Sequence, residues 1–228
     1  MIYVTGDIHG GFDIHKLSSR RFPAQKSLTK SDYIVICGDF GLVWNDGDDE
    51  LYWRGWLNDK PWTTLFVDGN HEDHDLLKRY PVESWNGGKV HFISDSIIHL
   101  TRGQVFDMDG VSIFTMGGAT SIDKAYRTPG KSWWPEEVPS HDECEEAIEN
   151  LVKHDCTVDY IITHECSQSV FEKMSGFADK DCYRGWLEGI DESIRFKRWF
   201  FGHHHLDVRV DDKHRCLYQD IELIERTM

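Results

Sequence analysis

The sequence lacks the marks of several protein classes. Its six cysteines include no Cys-x-x-Cys pair, so a thiolate zinc site is not expected. No apolar run approaches the roughly 18 residues of a membrane-spanning helix, and no basic segment followed by an apolar one predicts a signal peptide. These absences favour reduced thiols and a cytoplasmic protein that has no membrane partner. Internal repeats and low-complexity segments are missing as well.

Basic residues are also scarce. The 228 residues include 25 Lys and Arg against 40 Asp and Glu, which gives a formal net charge of −15. Binding a long nucleic acid requires an extended basic footprint, so this charge argues against such a partner. A small phosphate responds instead to the local field of its binding site. The length fits one domain over residues 1–228, and nothing in the sequence indicates an oligomeric state.

The chain does contain a series of short apolar runs that end in polar, glycine-containing turns. Residues 90–118 have the pattern of several adjacent strands, with a hairpin signal at Asp109-Gly110. Helical periodicity over residues 51–57 and a capping box at residues 140–143 predict helices. We therefore expect two packed sheets with helices outside. Five further runs are β-branched or aromatic and predict buried strands, at residues 2–5, 33–37, 64–67, 160–163 and 199–201.

Each of these five runs leads into side chains that are able to bind metals. In open α/β sheets, such loops meet beyond the carboxyl ends of the strands. Asp and His favour Zn, Fe or Mn over Ca, and a glycine before an Asp or Asn lets the backbone approach a metal closely. A single Asp or His is more often a cap, turn or core residue, so the ordered recurrence carries the prediction. The clusters are Asp7-Ile8-His9, Asp39, Asn70-His71-Glu72, His164 and His203-His204-His205.

Two of the clusters place candidate ligands two residues apart, at Asp7-x-His9 and His203-x-His205. In a strand-like backbone, the first and third side chains point to the same side. We therefore expect His204 to point away from the metal site and not to be a ligand.

At these residues the chain resembles the calcineurin-like metallophosphoesterase superfamily. The pattern of that superfamily is Asp-x-His, Gly-Asp, Gly-Asn-His-Asp/Glu, His and Gly-His-x-His, and all five blocks occur in this order between Asp7 and His205. The resemblance implies an α/β fold, namely a four-layer α/β/β/α sandwich in which two mixed β-sheets are flanked by helices. The segment from residue 117 to Trp134 is also similar to small bacterial and phage members.

The resemblance further implies two divalent or transition metal ions, of Mn, Fe or Zn. His71 matches the general acid of the family, and Glu72 stands where an acidic residue helps to orient that histidine. Asp39 would bridge the two ions. One ion would be held by Asp7, His9 and His205. The other would be held by Asn70, His164 and His203.

The chain departs from one branch of the family. Ser/Thr protein phosphatases continue their second block as Gly-Asp-x-x-Asp-Arg-Gly, whereas here Leu42 and Val43 occur where that phosphate-binding arginine is expected. A turn-rich loop offers a replacement cation, because a guanidinium grips phosphate at two points. We therefore predict that Arg127, and secondarily Lys131, bind the substrate. Trp133 and Trp134 in the same segment are candidates to stack on a base, and an ordinary solvated loop with Trp anchors in the core is the open alternative.

The expected function is that of a dinuclear metal-dependent phosphoesterase. Such a hydrolase would use a metal-activated hydroxide to attack a phosphate mono- or diester, most plainly that of a small molecule or nucleotide. Two alternatives stay open. A Ser/Thr-type protein phosphatase would have an exposed phosphopeptide groove, and a non-catalytic metal-binding scaffold on the same fold would have lost ligands.

Overall fold

A computed structural model describes residues 1–225 of the chain. Strands and helices alternate over much of that length. The strands are β1 Ile2–Thr5, β2 Tyr33–Ile36, β3 Thr63–Phe66, β4 Val82–Trp85, β5 Gly88–Ser94, β6 Ile97–Leu100, β7 Gln104–Met108, β8 Val111–Met116, β9 Tyr160–Thr163, β10 Arg198–Phe201, β11 Val208–Arg209, β12 His214–Cys216 and β13 Ile221–Ile224. The α-helices are α1 Asp48–Asn58, α2 His74–Leu77, α3 His141–Lys153, α4 Gln168–Ser175 and α5 Cys182–Ser193.

The strands form two mixed sheets. The first has the order β13-β1-β2-β3-β6-β5-β4, with β1, β2, β3 and β6 parallel and the other strands antiparallel to their neighbours. The second has the order β11-β12-β10-β9-β8-β7, with β12, β10, β9 and β8 parallel. This topology confirms the prediction of two mixed sheets.

The strands alternate their side chains between two buried layers. Val35 of β2 and Ile162 of β9 belong to the core between the sheets. Ile36, next to Val35 in β2, packs with residues of α1 and α2. Ile161, next to Ile162 in β9, packs with residues of α3, α4 and α5. Because a strand has a side-chain period of two, continuous apolar runs fill both layers. The result is the predicted four-layer α/β/β/α sandwich.

The predicted local elements are present, with one change in the middle of the chain. The five predicted buried strands correspond to β1, β2, β3, β9 and β10. The strands in residues 90–118 are divided between the sheets, since β5 and β6 belong to the first and β7 and β8 to the second. Asp109 and Gly110 form the predicted hairpin turn with φ angles of 58° and 80°.

The predicted capping box opens α3. The Ser140 hydroxyl accepts a hydrogen bond from the Glu143 amide, while the Glu143 carboxylate accepts one from the Ser140 amide at 2.7 Å. All six cysteines are free thiols, as the sequence predicted. Over residues 1–225, none of the helices is both long enough and apolar enough to span a bilayer.

Candidate active site

The loops at the carboxyl ends of strands from both sheets converge on one region. The loops after β1, β2 and β3 come from the first sheet, and those after β9 and β10 come from the second. The site therefore lies where the two sheets meet, and not along the edge of one sheet as the strand-end argument had suggested. The loops bring together the predicted residues Asp7, His9, Asp39, Asn70, His164, His203 and His205.

The converging side chains form two sets, each able to hold a metal ion. Within a set, the ligand atoms lie within 4.8 Å of one another. Asn70 adjoins the second set, because its Oδ1 lies 3.2 Å from His164 Nε2. Asp39 belongs to both sets, as a bridging carboxylate would. The first set is Asp7, His9, Asp39 and His205. The second set is Asp39, His164 and His203.

The buried carboxylates of these sets fit a bound cation. Asp7 Oδ2 is buried and lies 3.2 Å from His205 Nε2, but it has no partner in hydrogen-bonding geometry. Asp39 faces His9 and His164 at 3.3 Å and 3.2 Å. Among residues 1–225, neither carboxylate forms an ion pair with Lys or Arg. Burying such a charge is costly unless it is paired or coordinates a metal, and mixed carboxylate and imidazole ligands suit transition ions.

The aspartates of the site favour positive charge on two of its histidines. Burial disfavours a charged His164, but Asp39 and Asp7 outweigh it and raise the pKa of His164 to about 10. Burial likewise opposes the charge on His9, and Asp39, Asp7 and Asp13 nevertheless raise its pKa to about 9. A field that strengthens proton binding at these imidazoles also attracts a metal cation, which competes with the protons for the same nitrogens.

Hydrogen bonds on the outer side of the site orient two of the imidazoles. His164 Nδ1 donates to the carbonyl oxygen of Cys37 at 2.8 Å. His9 Nδ1 bonds Asp13 Oδ2 at 2.9 Å. In both rings this arrangement turns Nε2 toward Asp39. Partners of this kind fix the tautomer and direction of a metal-binding histidine.

The backbone at the ligands is not strand-like, which corrects the geometry predicted for Asp7-x-His9 and His203-x-His205. His9, His203 and His205 have φ angles of 43°, 64° and 51°, so they occupy left-handed turn conformations. Such values are uncommon outside glycine and gather at functional sites. His204 belongs to neither of these two sets: its Nε2 bonds Glu165 Oε1 at 2.8 Å, and with Glu165 and Cys166 it forms a separate third group of potential metal ligands.

Two glycines let the loops pack against the carboxylates. A Cβ on Gly69 would lie 2.1 Å from Asp39 Oδ1, and a Cβ on Gly202 would lie 2.1 Å from Asp7 Oδ1. Real Cβ atoms do not approach oxygen so closely. These positions therefore require glycine for the close approach that the sequence predicted.

His71 lies beside the ligand sets without belonging to either. Its amide donates to Asp39 Oδ1 at 2.9 Å, and its ring centroid is 5.5 Å from that of His9. The ring lines a cavity of about 580 Å³ together with Phe12 and Trp44. Burial lowers the pKa of His71, with the Arg127 charge acting in the same direction and Asp39 opposing it. His71 therefore faces a cavity that His9 and His205 of the first ligand set also line.

Glu72 does not contact His71 in the way that was predicted. Its carboxylate accepts hydrogen bonds from the amides of Phe40 at 2.6 Å, Gly41 at 3.4 Å and Gly69 at 2.7 Å. Within residues 1–225, its hydrogen bonds do not reach the His71 ring. The sequence position was suggestive, but the side chain turns inward and joins the loop after β2 to the loop after β3. Glu72 therefore links the loop that carries Asp39 to the loop that carries Asn70.

The two predicted substrate-binding cations have different surroundings. Arg127 Nη2 lies 3.4 Å from His71 Nε2, and its Nε forms an ion pair with Asp123 at 2.7 Å. Lys131 is exposed, and in the described part of the chain its side chain has no hydrogen bond or ion pair. The structure therefore brings Arg127 to the site and leaves Lys131 in solvent.

Several residues that support the site were not singled out from the sequence. Ser121 accepts a hydrogen bond from Asn70 Nδ2 at 3.2 Å, which orients the Asn70 oxygen toward His164. Glu165 bonds His204 and lies 3.9 Å from His203 Nε2. Position immediately after His164 was the one available signal for Glu165. The contact of Ser121 spans 51 residues, and no local pattern predicts it.

The comparison with known proteins agrees with this geometry. Residues 1–207 match the calcineurin-like phosphoesterase family. The chain is 28% identical over 139 residues to lariat debranching enzyme A of Xenopus laevis, covering 55% of this chain and 24% of that protein. It is 29% identical over 143 residues to the human lariat debranching enzyme, again covering 55% and 24%. The matched region thus spans about a quarter of the length of these curated relatives.

A solved structure shows a weaker likeness. It is a chain assigned as a 5′-nucleotidase from Staphylococcus aureus, crystallised with α-ketoglutarate, which aligns with a TM-score of 0.49 and 12% identity. The alignment covers 96% of this chain and 49% of that one. The sandwich fold and the paired ligand sets define a metallophosphoesterase. On the match over residues 1–207, the chain belongs to the calcineurin-like phosphoesterase family, whose members are hydrolases of phosphate esters that normally bind divalent metals.

Proposed function

We propose that this chain hydrolyses a phosphate mono- or diester of a small molecule or nucleotide at a dinuclear metal centre. The observation that carries the proposal is the pair of ligand sets that share Asp39. Asp7, His9, Asp39 and His205 would hold one ion. Asp39, Asn70, His164 and His203 would hold the other. The similarity to lariat debranching enzymes supports a substrate that contains a phosphate ester.

Mn, Fe and Zn all suit this donor set of oxygen and imidazole nitrogen. Divalent ions bound there would supply Lewis acidity and lower the pKa of a water from about 15.7 toward about 7. The two aspartates contribute about −2 to the site, so two divalent ions leave it positive and attractive to a phosphate despite the acidic protein. Asn70 is neutral and does not reduce that charge.

The remaining roles fall to residues of the chain. As water adds to phosphorus and the ester P–O bond breaks, the leaving oxygen needs a proton. His71 would deliver it from its protonated form, which the lowered pKa of this histidine favours only in more acidic solution. Arg127, 3.4 Å from His71, would grip an oxygen of the phosphate and fix its orientation. Glu72 would act indirectly, by holding the loops of Asp39 and Asn70.

The side chains at the site argue against the two alternative functions, a non-catalytic scaffold and a Ser/Thr-type protein phosphatase. All seven ligand positions are occupied by metal-binding side chains, which argues against a scaffold that has lost its metals. The cation near His71 comes from residue 127 and not from the second block, which argues against the Ser/Thr phosphatase branch.

A hydrolysis screen on protein loaded with Mn²⁺ tests the proposal. It would compare p-nitrophenyl phosphate, bis-p-nitrophenyl phosphate, nucleotides and phosphopeptides. We expect metal-dependent release from small esters or nucleotides. Hydrolysis of phosphopeptides alone would select the phosphatase alternative, and no hydrolysis by protein that holds its metals would select the scaffold.

A further inference from the structure

Tyr218, in the turn between β12 and β13, contacts the outer side of the first ligand set. Its ring lies nearly parallel to the imidazole of His205, with centroids 4.7 Å apart and an angle of 16° between the planes. Its hydroxyl donates a hydrogen bond to Asp13 Oδ1 at 2.9 Å. The other oxygen of that carboxylate, Oδ2, bonds His9 Nδ1 at 2.9 Å. One side chain therefore reaches two histidines of the same set, one by stacking and the other through Asp13.

His205 is the histidine of this set that most needs such support. Its side chain is 49% exposed, whereas that of His9 is 17% exposed. Among residues 1–225, no hydrogen bond orients Nδ1 of His205, in contrast to the bond between His9 and Asp13. An exposed side chain retains its freedom of rotation, and binding a metal would remove that freedom at an entropic cost. Stacking on a fixed aromatic ring restricts the imidazole before a metal binds.

The Tyr218 ring is itself fixed through its backbone. Three successive amides, beginning with that of Tyr218, donate to the Asp207 carboxylate at 2.8, 3.0 and 2.9 Å. Asp207 follows His205 by two residues, so its carboxylate joins the loop after β10 to the turn after β12. The Tyr218 carbonyl accepts a hydrogen bond from Lys16 Nζ, which also donates to the carbonyl of Asp7 at 2.8 Å. The turn is therefore tied to the loops that carry Asp7 and His205.

From these contacts we propose that Tyr218 is a positioning residue for the metal ion of the first ligand set. Its ring keeps the His205 imidazole directed at the ion, and its hydroxyl holds Asp13 so that His9 presents Nε2. The inference rests on the proposed function, because it presupposes an ion in that set. It goes beyond the proposed function by making the affinity for one ion depend on a tyrosine outside both ligand sets.

Two substitutions separate the stacking from the hydrogen bond. Tyr218→Phe keeps the ring and removes only the hydroxyl, whereas Tyr218→Leu removes both contacts. We expect the Mn²⁺ affinity of the first set to fall about 3- to 10-fold in Tyr218→Phe, as for the loss of one hydrogen bond. In Tyr218→Leu it should fall about 10- to 100-fold, the usual effect of removing an outer partner of a metal ligand. Titration against a chelating indicator measures both dissociation constants, and that of the second set should stay unchanged.

Electron paramagnetic resonance supplies a second measurement. At a Mn²⁺ concentration that just fills both sets of the wild-type chain, the wild type should give the spectrum of two coupled ions. At the same concentration, Tyr218→Leu should give the spectrum of a single ion. A general loss of stability would weaken both ions together and would not produce this pattern.

An Asp13→Ala background tests the hydrogen-bonded route to His9. In that background Tyr218→Phe should have little further effect on metal affinity, because the acceptor of its hydroxyl is already gone. Tyr160→Phe is the matched control, because the Tyr160 hydroxyl also donates one hydrogen bond, to the Glu225 carbonyl at 2.8 Å. Tyr160 begins β9, at the opposite end of that strand from His164, so both affinities should be retained. Circular dichroism would show that each variant is folded.

The outcomes separate the inference from the function on which it rests. A wild-type chain that binds at most one ion would overturn the proposed function and the inference with it. If the wild type binds two ions but Tyr218→Leu leaves both affinities unchanged, or weakens both equally, only the inference is overturned. A higher KM with unchanged metal affinity would make Tyr218 a substrate contact and would also overturn it. The same holds if Tyr160→Phe weakens metal binding as much as Tyr218→Phe.

Discussion

Two buried clusters of aspartate and histidine include residues of the loop after β3. They differ in the groups that compensate the buried negative charge. Asp68 accepts a hydrogen bond from Arg102 Nε at 2.9 Å and lies 3.2 Å from His99 Nε2, so its carboxylate is fully paired inside the protein. Two residues later, Asn70 joins the set in which Asp39 faces histidines without Lys or Arg. The residue types are alike, but only the Asp68 cluster contains an arginine, whose charge is permanent, whereas the histidines of the Asp39 cluster can exchange their protons for a metal ion.

A buried cluster that contains its own arginine is structural, whereas one whose carboxylates face only histidines is a candidate metal site. The Arg102 charge acts on Asp68 against the effect of burial and lowers the pKa of that carboxyl well below its usual range. In the Asp39 cluster, which comprises both ligand sets, Asp7 Oδ2 is buried without a hydrogen-bond partner. A bound metal cation would supply that partner. We therefore expect Arg102 to stabilise the fold through Asp68, and we expect the Asp39 cluster to bind metal ions.

The largest effect is expected from Asp39→Asn, which removes the shared carboxylate charge. The metal content should fall from two ions per chain to one or none, and hydrolysis should slow by about 10³-fold or more, because metal stabilisation of the reacting charge is worth several kcal/mol. Metal analysis and steady-state kinetics measure the two effects.

Asp159→Asn is the matched control for this variant. Asp159 directly precedes β9, at the opposite end of that strand from His164, where it pairs with Ser112. The control should retain both ions. An Asp39→Asn protein that also retained both would show that the carboxylate does not bridge them.

Arg102→Met tests the other cluster. This change leaves the Asp68 charge buried without its main partner, so the free energy of unfolding should fall by about 3–5 kcal/mol. Urea denaturation provides the measurement, and the folded fraction should still bind its metals. Adding Asp68→Asn should recover part of the loss. Unchanged stability in Arg102→Met, or loss of metal from its folded form, would contradict the division into two kinds of cluster.

His71→Ala tests whether a histidine beside the Asp39 cluster acts as a proton donor or as a metal ligand. We expect both metals to stay bound while hydrolysis slows by about 10²-fold, most strongly for substrates with poor leaving groups that need a proton. A series of phenyl esters of different leaving-group pKa measures this dependence. If the variant loses a metal ion, His71 is a ligand and the proposed acid role is wrong.

Arg127→Ala is expected to weaken substrate binding without a loss of metal. Loss of one charge-assisted contact to phosphate costs about 1.5–3 kcal/mol, so KM should rise roughly 10- to 150-fold with metal content unchanged. Lys131→Ala serves as the comparison, since the exposed Lys131 should have little effect. Steady-state kinetics on the best substrate decides the matter. Unchanged KM and kcat in Arg127→Ala would show that Arg127 does not bind the substrate.

The strands, and the side chains that the structure brings together as candidate ligands, were predictable from the sequence because both depend on local patterns. Continuous apolar runs such as Tyr33–Ile36 identify strands buried on both faces, and a polar residue directly after each run marks its carboxyl end. The order of the ligand blocks then fixed the family resemblance.

The rest depended on contacts between distant segments. The role of Glu72 was mispredicted because its side chain reaches back 32 residues to the Phe40 amide, and sequence proximity pointed to His71 instead. The Asp68–Arg102 pair spans 34 residues, and no periodicity reveals it. The left-handed backbone at His203 and His205 was missed because a turn and a strand both place alternate side chains on one side.

We propose above all that this chain holds two metal ions in sets joined by Asp39. The most direct test is to load the full chain with Mn²⁺ or Zn²⁺, remove loosely bound metal and determine the number of ions per chain by elemental analysis. We expect two ions per chain. A value of at most one ion per chain, after loading with either metal, would contradict it.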